Sequence, residues 1–540
     1  MKKSFLDKFV GYLSPSAGLK RTQAKIVSET IEKRLSSRFY DGASSGRRTD
    51  GWVTPSTSSS AETYGQLSRL RDRSRDLYRN DAFAKRAVDV VVGNTVGAGI
   101  LLKIEAKAMG RAKTAQEVWK KWAYSKECDA EGRRDFFALQ SLIMNTIVQS
   151  GECLIRKINV TESKSGVNLK LQVLEPDHLD NLKDGYFNEG SKNRVIQGVE
   201  FDPQGQRVAY HIYENHPGDN SAISKNTYIS KRIPASEMIH VFKQDRPGQV
   251  RGVPWFHACI ITMQDLNEFI DATIVKQKVA AAFSGFVTDV EGQDAAGNFN
   301  FSDKMEPGAI ELLPPGRDIK FPNPPSANDF DPLVKTFLRQ IAAGLGITYE
   351  ALSNDYSQVN FSSGRMGWIE FQRNIDQWRW NTIIPQFCDQ AFEWFLKSAV
   401  ISGEIDSTDG LSALWTPPKR EMIDPANELK AMSTAMRSGL ISFSEAHRSL
   451  GNDPDQVLKE MHEDNEKIDK FNLVLDSDPR KVSQSGQFQS IGSQAPVDDS
   501  SEDVEDVEDD EEELADSEER FFTDQNNKVW KLTKNGFEAI

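Results

Sequence analysis

The sequence predicts an α+β protein of several packed units, and three observations carry that reading. At 540 residues the chain is far longer than the roughly 100 to 200 residues of one domain. Between Glu152 and about Phe242, apolar and polar residues alternate at the period of short strands. On both sides of that stretch apolar residues recur at helical spacing, giving amphipathic faces.

Met1-Lys2-Lys3-Ser4-Phe5-Leu6 begins like a secretory leader, but Asp7, Lys8 and Gly11 interrupt the apolar run a leader needs, so an untargeted amphipathic start is expected. Residues 41–63, with Gly42-Ala43-Ser44-Ser45-Gly46 and Thr54-Pro55-Ser56-Thr57-Ser58-Ser59-Ser60, carry too little apolar surface to fold alone and read as a linker. From Leu67, the pattern Leu67, Leu70, Leu77 with Arg69, Arg71, Arg73, Arg75 and Arg79 interleaved predicts a helix with an arginine-rich polar face. A solvated face is the simpler expectation for those arginines, and nucleic-acid contact the alternative.

Gly93, Gly97 and Gly99 do not fit GxGxxG spacing and read as a tight turn before a strand at Leu101-Leu102-Lys103-Ile104. Residues 136–149 predict a helix, after which Gly151 leads into the strands, among them Lys170–Leu174 and Arg207–Tyr213. Pro254 opens a long helix reaching about residue 284, with Cys259, Met263, Leu266, Ile270 and Ile274 on one face. At 1.5 Å per residue it would be about 45 Å long, more than one compact core needs. Residues 285–325 hold six Pro and five Gly, so an irregular or β segment separates this helix from the next.

The second helix carries Phe330, Leu333, Phe337, Ile341 and Leu345 on one face and stops at Gly346. A polar segment from Tyr349 to Arg365 precedes a third, lined by Trp368, Phe371, Ile375 and Trp378, which Pro385 should bend or stop. From Asp424 to Phe471 short helices alternate with turns, with a capping box at Ser442-Phe443-Ser444-Glu445 and a stop and restart at Gly451-Asn452-Asp453-Pro454. Beyond Leu475 disorder is expected through Glu519, and the aromatic stretch from Phe521-Phe522 through Trp530 to Phe537 reads as a frayed end.

Charge is segregated along the chain. The formal net charge is −14, yet fifteen Asp and Glu lie between Asp498 and Glu519 with no Lys or Arg among them. Residues 1–86 carry eighteen Lys and Arg against nine acids. No apolar run approaches the roughly 20 residues of a membrane span. Cys128, Cys153, Cys259 and Cys388 form no CxxC pair and read as buried structural thiols of a reducing compartment.

The chemistry-bearing motifs of an enzyme do not emerge. There is no GxxxxGK[ST] phosphate loop and no HExxH. His211 and His216 flank a strand end without a companion Cys or carboxylate at metal-ligand spacing, and Glu175-Pro176-Asp177-His178 reads as a polar turn. No catalytic residue, metal site or cofactor is therefore expected.

Eight blocks in order resemble the portal proteins of lambda-type tailed bacteriophages: Leu70 through Asn80, Asn94 through Ile100, Ser150-Gly151-Glu152, Leu174-Glu175-Pro176-Asp177, His216-Pro217-Gly218-Asp219, Ile239-His240-Val241-Phe242, Arg246 through Trp255, and Gly344 through Ser353 continuing to Arg365. The resemblance implies a portal fold, with wing, long-helix stem, clip and helical crown, assembled as a ring of usually twelve copies around a central channel. It divides the chain into an N-terminal arm and linker (1–61), wing (62–250), stem helix (251–284), clip (285–325), second stem helix (326–348), tunnel loop (349–365), inner wing and crown helices (366–475) and a disordered acidic tail with a short aromatic end (476–540).

It implies as partners further copies of the chain, double-stranded DNA held without sequence preference, the large terminase subunit, major capsid and scaffold proteins, and a head-tail adaptor, with no membrane. The expected locations are the capsid portal vertex of the virion and, during assembly, the host cytoplasm. The residues expected to face DNA are Asn354, Tyr356, Gln358, Asn360, Ser362, Ser363 and Arg365: neutral hydrogen-bonding groups that let a duplex slide, with Arg365 the only cation nearby. A DNA-processing enzyme or another structural head or neck protein is the competing reading.

Overall fold

The computed structural model describes residues 50–51, 54–106, 109–186, 192–219, 229–282, 286–289, 317–320, 330–419, 421–473, 475, 480, 521–523, 529–533 and 536–539. Most of the expected arm, most of the clip and the acidic run 498–519 lie outside these residues. The chain divides into two compact units, Met1–Lys459 and Glu460–Ile540.

Helices α1 (Ser59–Thr63), α2 (Leu67–Asn80) and α3 (Ala82–Thr95) lead in. Asp81 joins the last two: its Oδ1 accepts from Ala84 N at 2.7 Å, an N-cap worth about 1 kcal/mol. The turn at Gly97 and Gly99 delivers the chain into β1 (Leu101–Ala106), followed by α4 (Met109–Ala123) and α5 (Phe136–Ser150). Apolar faces of α3, α4 and α5 enter one large core with Val88, Val91, Ile143 and Ile147 fully buried. At its centre Trp119 stands edge-on to Phe136 (5.0 Å) and Phe395 (4.9 Å), pairings worth about 0.5–1.5 kcal/mol each beyond their area. All four cysteines are buried, Cys153 and Cys259 as their apolar neighbours along the chain predict and Cys128 despite polar ones, and burial pushes the Cys259 thiol up to about 12.

The β-rich stretch forms two antiparallel sheets. One has the order β3-β2-β9, from β2 (Glu152–Asn159), β3 (Leu169–Leu174) and β9 (Met238–Phe242). The other is a meander of β4 (Gly185–Tyr186), β5 (Arg194–Ile196), β6 (Val199–Phe201), β7 (Arg207–Tyr213) and β8 (Ser230–Pro234). A smaller apolar cluster including Leu154, Leu179, Tyr210 and Val250 sits between them.

Gly151 ends α5 in the left-handed conformation (φ 88°), which only glycine adopts freely. There the chain crosses the Gly252 segment so closely that a Cβ on Gly252 would lie 2.2 Å from the Gly151 carbonyl oxygen.

The long helix differs from expectation at its start. Pro254 opens a 3-10 turn, Trp255–Ala258, and after a break at Cys259 (φ −126°, ψ 1°) helix α6 runs from Ile260 to Ala282. Its 23 residues make it about 35 Å long, not 45 Å. Met263 and Leu266 are buried in the core, whereas Ile274 on the same face is 45% exposed. Strands β10 (Phe286–Asp289) and β11 (Arg317–Lys320) pair antiparallel within the expected clip. Helix α7 (Phe330–Leu345) then returns, ending at Gly346 (φ 70°) as expected.

After a short helix α8 (Tyr349–Ser353), α9 runs from Phe361 to Trp378. Pro385 does not stop it: residues Arg379–Cys388 form a π-helical segment that passes into α10 (Asp389–Ile401). The wider turn accommodates the proline, and the Gln386 amide donates to the Asn381 carbonyl (3.4 Å) near the missing N–H. Arg379, buried, donates to the Asn94 and Thr95 carbonyls and so satisfies the end of α3.

Where helices alone were expected, β12 (Leu411–Thr416) appears and pairs antiparallel with β1, Leu102 opposite Trp415. Six residues are too few to announce a strand without their partner. Helices α11 (Pro425–Arg437), α12 (Phe443–Ser449) and α13 (Pro454–Lys470) follow, with Ser442 capping α12 as its sequence predicts. In the second unit the aromatic end is not frayed: β13 (Phe521–Thr523), β14 (Val529–Thr533) and β15 (Gly536–Ala539) form an antiparallel meander with Phe522 opposite Trp530 and Trp530 opposite Ala539.

Candidate functional site

Of the expected DNA-facing residues, Asn354, Tyr356, Gln358 and Asn360 lie on the connection from α8 to α9, whereas Ser362, Ser363 and Arg365 fall in the first turns of α9, so the expected loop 349–365 is helical at both ends. Asn354 ends α8 in the left-handed conformation (φ 56°), which asparagine tolerates better than most side chains. Its Oδ1 accepts from Arg86 Nη2 at 3.0 Å, while Arg86 Nε donates to the Ala351 carbonyl, also at 3.0 Å. Asp355 folds the loop on itself, accepting from Ser357 Oγ (2.6 Å), Ser357 N (3.1 Å) and the Tyr349 hydroxyl (3.0 Å). Those bonds, with the nearby Lys335 charge, hold its carboxyl at about 2.

Asn360 and Ser363 form the reciprocal capping box of α9, with Ser363 N donating to Asn360 Oδ1 at 2.8 Å and Asn360 N to Ser363 Oγ at 3.1 Å. Tyr356, Gln358, Ser362 and Arg365 are exposed, Tyr356 by 61%. All seven are exposed; Asn360 and Ser363 bond to each other, and Asn354 is held by an arginine from α3.

Arg365 is not the only cation nearby. Arg86 reaches Asn354, Lys335 lies 3.8 Å from Asp355, and Arg339 stacks over the Tyr349 ring (5.4 Å). Arg86 comes from α3, 268 residues before Asn354, and Lys335 and Arg339 come from the preceding helix α7, outside the loop's own pattern.

A densely charged part of the interior is assembled from residues that no local pattern links. Glu152, fully buried at the start of β2, accepts from Arg251 Nη2 (2.6 Å), Arg71 Nη1 (3.3 Å), His240 Nε2 (2.9 Å) and Gly252 N (2.8 Å). Arg71 also reaches Asp177 (3.3 Å), and Arg75 contacts both Asp177 (2.6 Å) and Glu175 (3.1 Å). Arg251 additionally donates to the Gln197 carbonyl and to Asn181.

Arg71 therefore belongs neither to a solvated face nor to a nucleic-acid surface, since its side chain is 1% exposed. Five of the eight blocks that carried the family resemblance meet at this hub, tying α2, β2, β9 and the Arg251 turn together. A buried Glu152 or His240 in otherwise apolar strands (Cys153-Leu154-Ile155, Ile239, Val241) was the signal available in the sequence.

Burial works to raise the Glu152 carboxyl, but the Arg251 charge and the His240 hydrogen bond outweigh it and hold it well below the usual carboxylate range. His240, His211 and His178 are pushed down chiefly by burial and stay neutral. Because Glu152 only accepts, His240 Nε2 carries the proton, leaving Nδ1 buried and without a hydrogen-bond partner.

Both effects have the same sign. The unfolded chain takes up protons on histidine below about pH 6.5 and on carboxylates below about 4.5, while the folded hub resists both. Stability to urea is expected to be flat from pH 8 to 7, to decline below about 6.5 and to fall steeply below about 4.5. A urea midpoint unchanged from pH 7 to 5 would remove the histidines from that account.

His216 is not without a companion: its Nε2 lies 3.3 Å from Glu175 and 3.9 Å from Asp177, and the three ligand atoms cluster within 4.8 Å. The carboxylates come from a turn some forty residues earlier, which spacing along the chain does not reveal. The Arg75 guanidinium already occupies both of them, so any cation there has to displace it.

Residues 45–379 match the family model described as phage portal protein, lambda family. A probable portal protein of Halomonas phage phiHAP-1 is 29% identical over 451 residues, 79% of this chain and 86% of the relative. Portal protein B of Escherichia phage lambda is 23% identical, covering 77% of this chain and 87% of the relative. Among solved structures, the neck of an empty gene transfer agent particle computed with C6 symmetry is 16% identical with a TM-score of 0.45, covering 72% of this chain and 95% of that one. A portal protein of the HK97 family from Corynebacterium diphtheriae aligns at 10% identity and a TM-score of 0.30, covering 66% and 96%. With the matched residues running from the linker before α1 through α2, the buried hub, both long helices and the α8–α9 loop, the chain belongs to the lambda family of phage portal proteins.

Proposed function

We propose that the chain forms a closed ring of identical copies, most simply twelve, at one capsid vertex, and that DNA passes through its central channel during packaging and ejection. The family match across residues 45–379 carries this reading. The ring is a passive conduit and not an enzyme: the large terminase subunit supplies the ATP-driven work and a head-tail adaptor replaces it afterwards, both docking on the clip at residues 285–325. Capsid and scaffold proteins surround the ring at the virion vertex, after assembly in the host cytoplasm. Particle images of the purified protein test the reading directly. A ring with a central hole is expected, and a preparation that stays monomeric with or without scaffold protein would overturn it.

Within that ring the loop between α8 and α9 faces the DNA. The seven expected residues of this loop and of the start of α9 are all exposed, and the neutral hydrogen-bonding groups of six of them suit a duplex that must slide, because each phosphate contact adds affinity that resists movement. Shortening residues 354–363 is expected to leave rings intact, since the loop adds little to the core, and to reduce packaged genome at least tenfold. Full-length packaging by such rings would put the constriction elsewhere.

A further inference from the structure

Between Asn354 and Asn360 the loop is bonded mainly to itself and to the helices that flank it. Val359 N donates to the Tyr356 carbonyl at 3.2 Å, Asp355 N to Ser353 Oγ at 3.1 Å, and the Asp355 carboxylate gathers Ser357 and Tyr349. Among the described residues only two side chains from elsewhere reach it with a hydrogen bond or ion pair: Lys335 of α7 and Arg86 of α3. A cleft of about 220 Å³ opens between the loop and α7, with Lys335, Arg339, Gln358 and Val359 among its lining, so α7 does not pack the loop in place. Lys335 is the looser tie, since its shorter ion pair is with Asp331 (2.8 Å) and Asp355 lies at 3.8 Å.

Arg86 is placed differently. Its Nε donates to the Ala351 carbonyl, one of the last carbonyls of α8 that the helix itself leaves without a donor, and its Nη2 donates to Asn354 Oδ1, both at 3.0 Å. A planar guanidinium across two acceptors fixes their relative direction, which the point charge of a lysine does not. Asn354 is the residue at which the chain turns out of α8 (φ 56°), so holding its side chain against α8 sets the direction in which residues 355–359 leave. The anchor is firm at its other end, because Ala84, Ala87 and Val88 beside Arg86 are fully buried in the large core. Both acceptors are neutral, and among the described residues no carboxylate pairs with Arg86.

Resting on the reading that this loop faces the DNA, we propose that Arg86 is its positioning residue. Acting through Asn354, it holds residues 355–359 in one direction above the cleft and so sets how closely Tyr356 and Gln358 approach the duplex. Without it the loop keeps its internal bonds and swings as a unit between Asn354 and the α9 cap.

The test uses the full chain as empty rings and in packaged heads, with Arg86→Ala, Arg86→Lys and Asn354→Gly. Glycine adopts the same backbone angle freely, so that change removes the acceptor alone. In empty rings, Arg86→Ala and Asn354→Gly should each speed amide exchange of residues 355–359 by roughly fivefold or more, with β2 and β9 unchanged. In heads, each should lower the DNA retained by roughly threefold, and the double variant should match Arg86→Ala, because both changes break one bond. Arg86→Lys keeps the charge without the two-point hold and should recover less than half of the loss. Full recovery by lysine, with Asn354→Gly retaining DNA like wild type, would make Arg86 a phosphate contact and overturn its positioning role. Exchange of 355–359 at the wild-type rate in Asn354→Gly rings would overturn it as well, even if Arg86→Ala formed too few rings to measure. Both results leave the loop's place at the DNA intact, whereas full-length packaging by rings shortened at 354–363 would remove that reading and this one with it.

Discussion

Replacing Glu152 with alanine is expected to lower the unfolding free energy of the monomer by about 3–5 kcal/mol, the range for removing one partner of a buried ion pair. The side chains of Arg71 and Arg251 are 1% and 0% exposed, so neither guanidinium can turn to water when the carboxylate goes. Gly252 N and His240 Nε2 lose their acceptor in the same step. Asp177 still serves Arg71, which leaves Arg251 as the main uncompensated charge.

Two companions sharpen the test. Glu152→Gln keeps the volume and one acceptor oxygen and should lose less than alanine does. The double variant Glu152→Ala with Arg251→Ala should cost less than its two single changes together, because the second change removes the charge that the first one stranded. Urea unfolding of the monomer reads all three, and a loss below about 1 kcal/mol for Glu152→Ala would mean that the hub is hydrated and its pairs are worth no more than surface ones.

Gly252→Ala is expected to destabilise by a similar amount, about 3–5 kcal/mol, at the severe end of single substitutions. The new Cβ would lie 2.2 Å from the Gly151 carbonyl oxygen and 2.6 Å from Phe242 Cβ. Neither is the free end of a flexible side chain. Relief requires moving the end of α5 away from β9, which also pulls Arg251 off Glu152. Gly93→Ala supplies the control: it lies inside α3 with nothing within 4 Å of its new Cβ, so alanine there should stabilise by up to about 1 kcal/mol. Equal effects at the two positions would mean that backbone proximity at Gly252 does not matter.

The hub explains why portal-like blocks scattered from Leu70 to Trp255 were the legible part of this sequence. Along the chain they are separate similarities, and in the fold five of them are one structure. The neutral loop residues were legible too, but not their division of labour. Asn360 and Ser363 cap a helix, which the spacing Asn360-Phe361-Ser362-Ser363 permits without announcing, and Asn354 is held by an arginine 268 residues away. Of the two outcomes a proline in a helical pattern allows, Pro385 does not bring the stop. Here a π-helical turn and the Gln386 amide absorb the irregularity, and only the packing of Ile383, Ile384 and Phe387 into the core makes that continuation worthwhile.

By itself the sequence determined what depends on neighbours along the chain. Helical faces such as Phe337, Ile341 and Leu345, the left-handed stops at Gly151 and Gly346, the alternation of Arg207–Tyr213 and the cap at Ser442 all follow from side chains within a few residues of one another. Only the tertiary structure decided what depends on groups far apart: the pairing of β1 with β12, the approach of Gly252 to Gly151, and which arginines meet which acids. The reason is physical. A charge is solvated or buried according to what closes over it, and an arginine in an amphipathic helix has the same local pattern whether water or Glu152 awaits it. Desolvation and Coulomb attraction act over a few ångströms of space, and folding alone sets those distances.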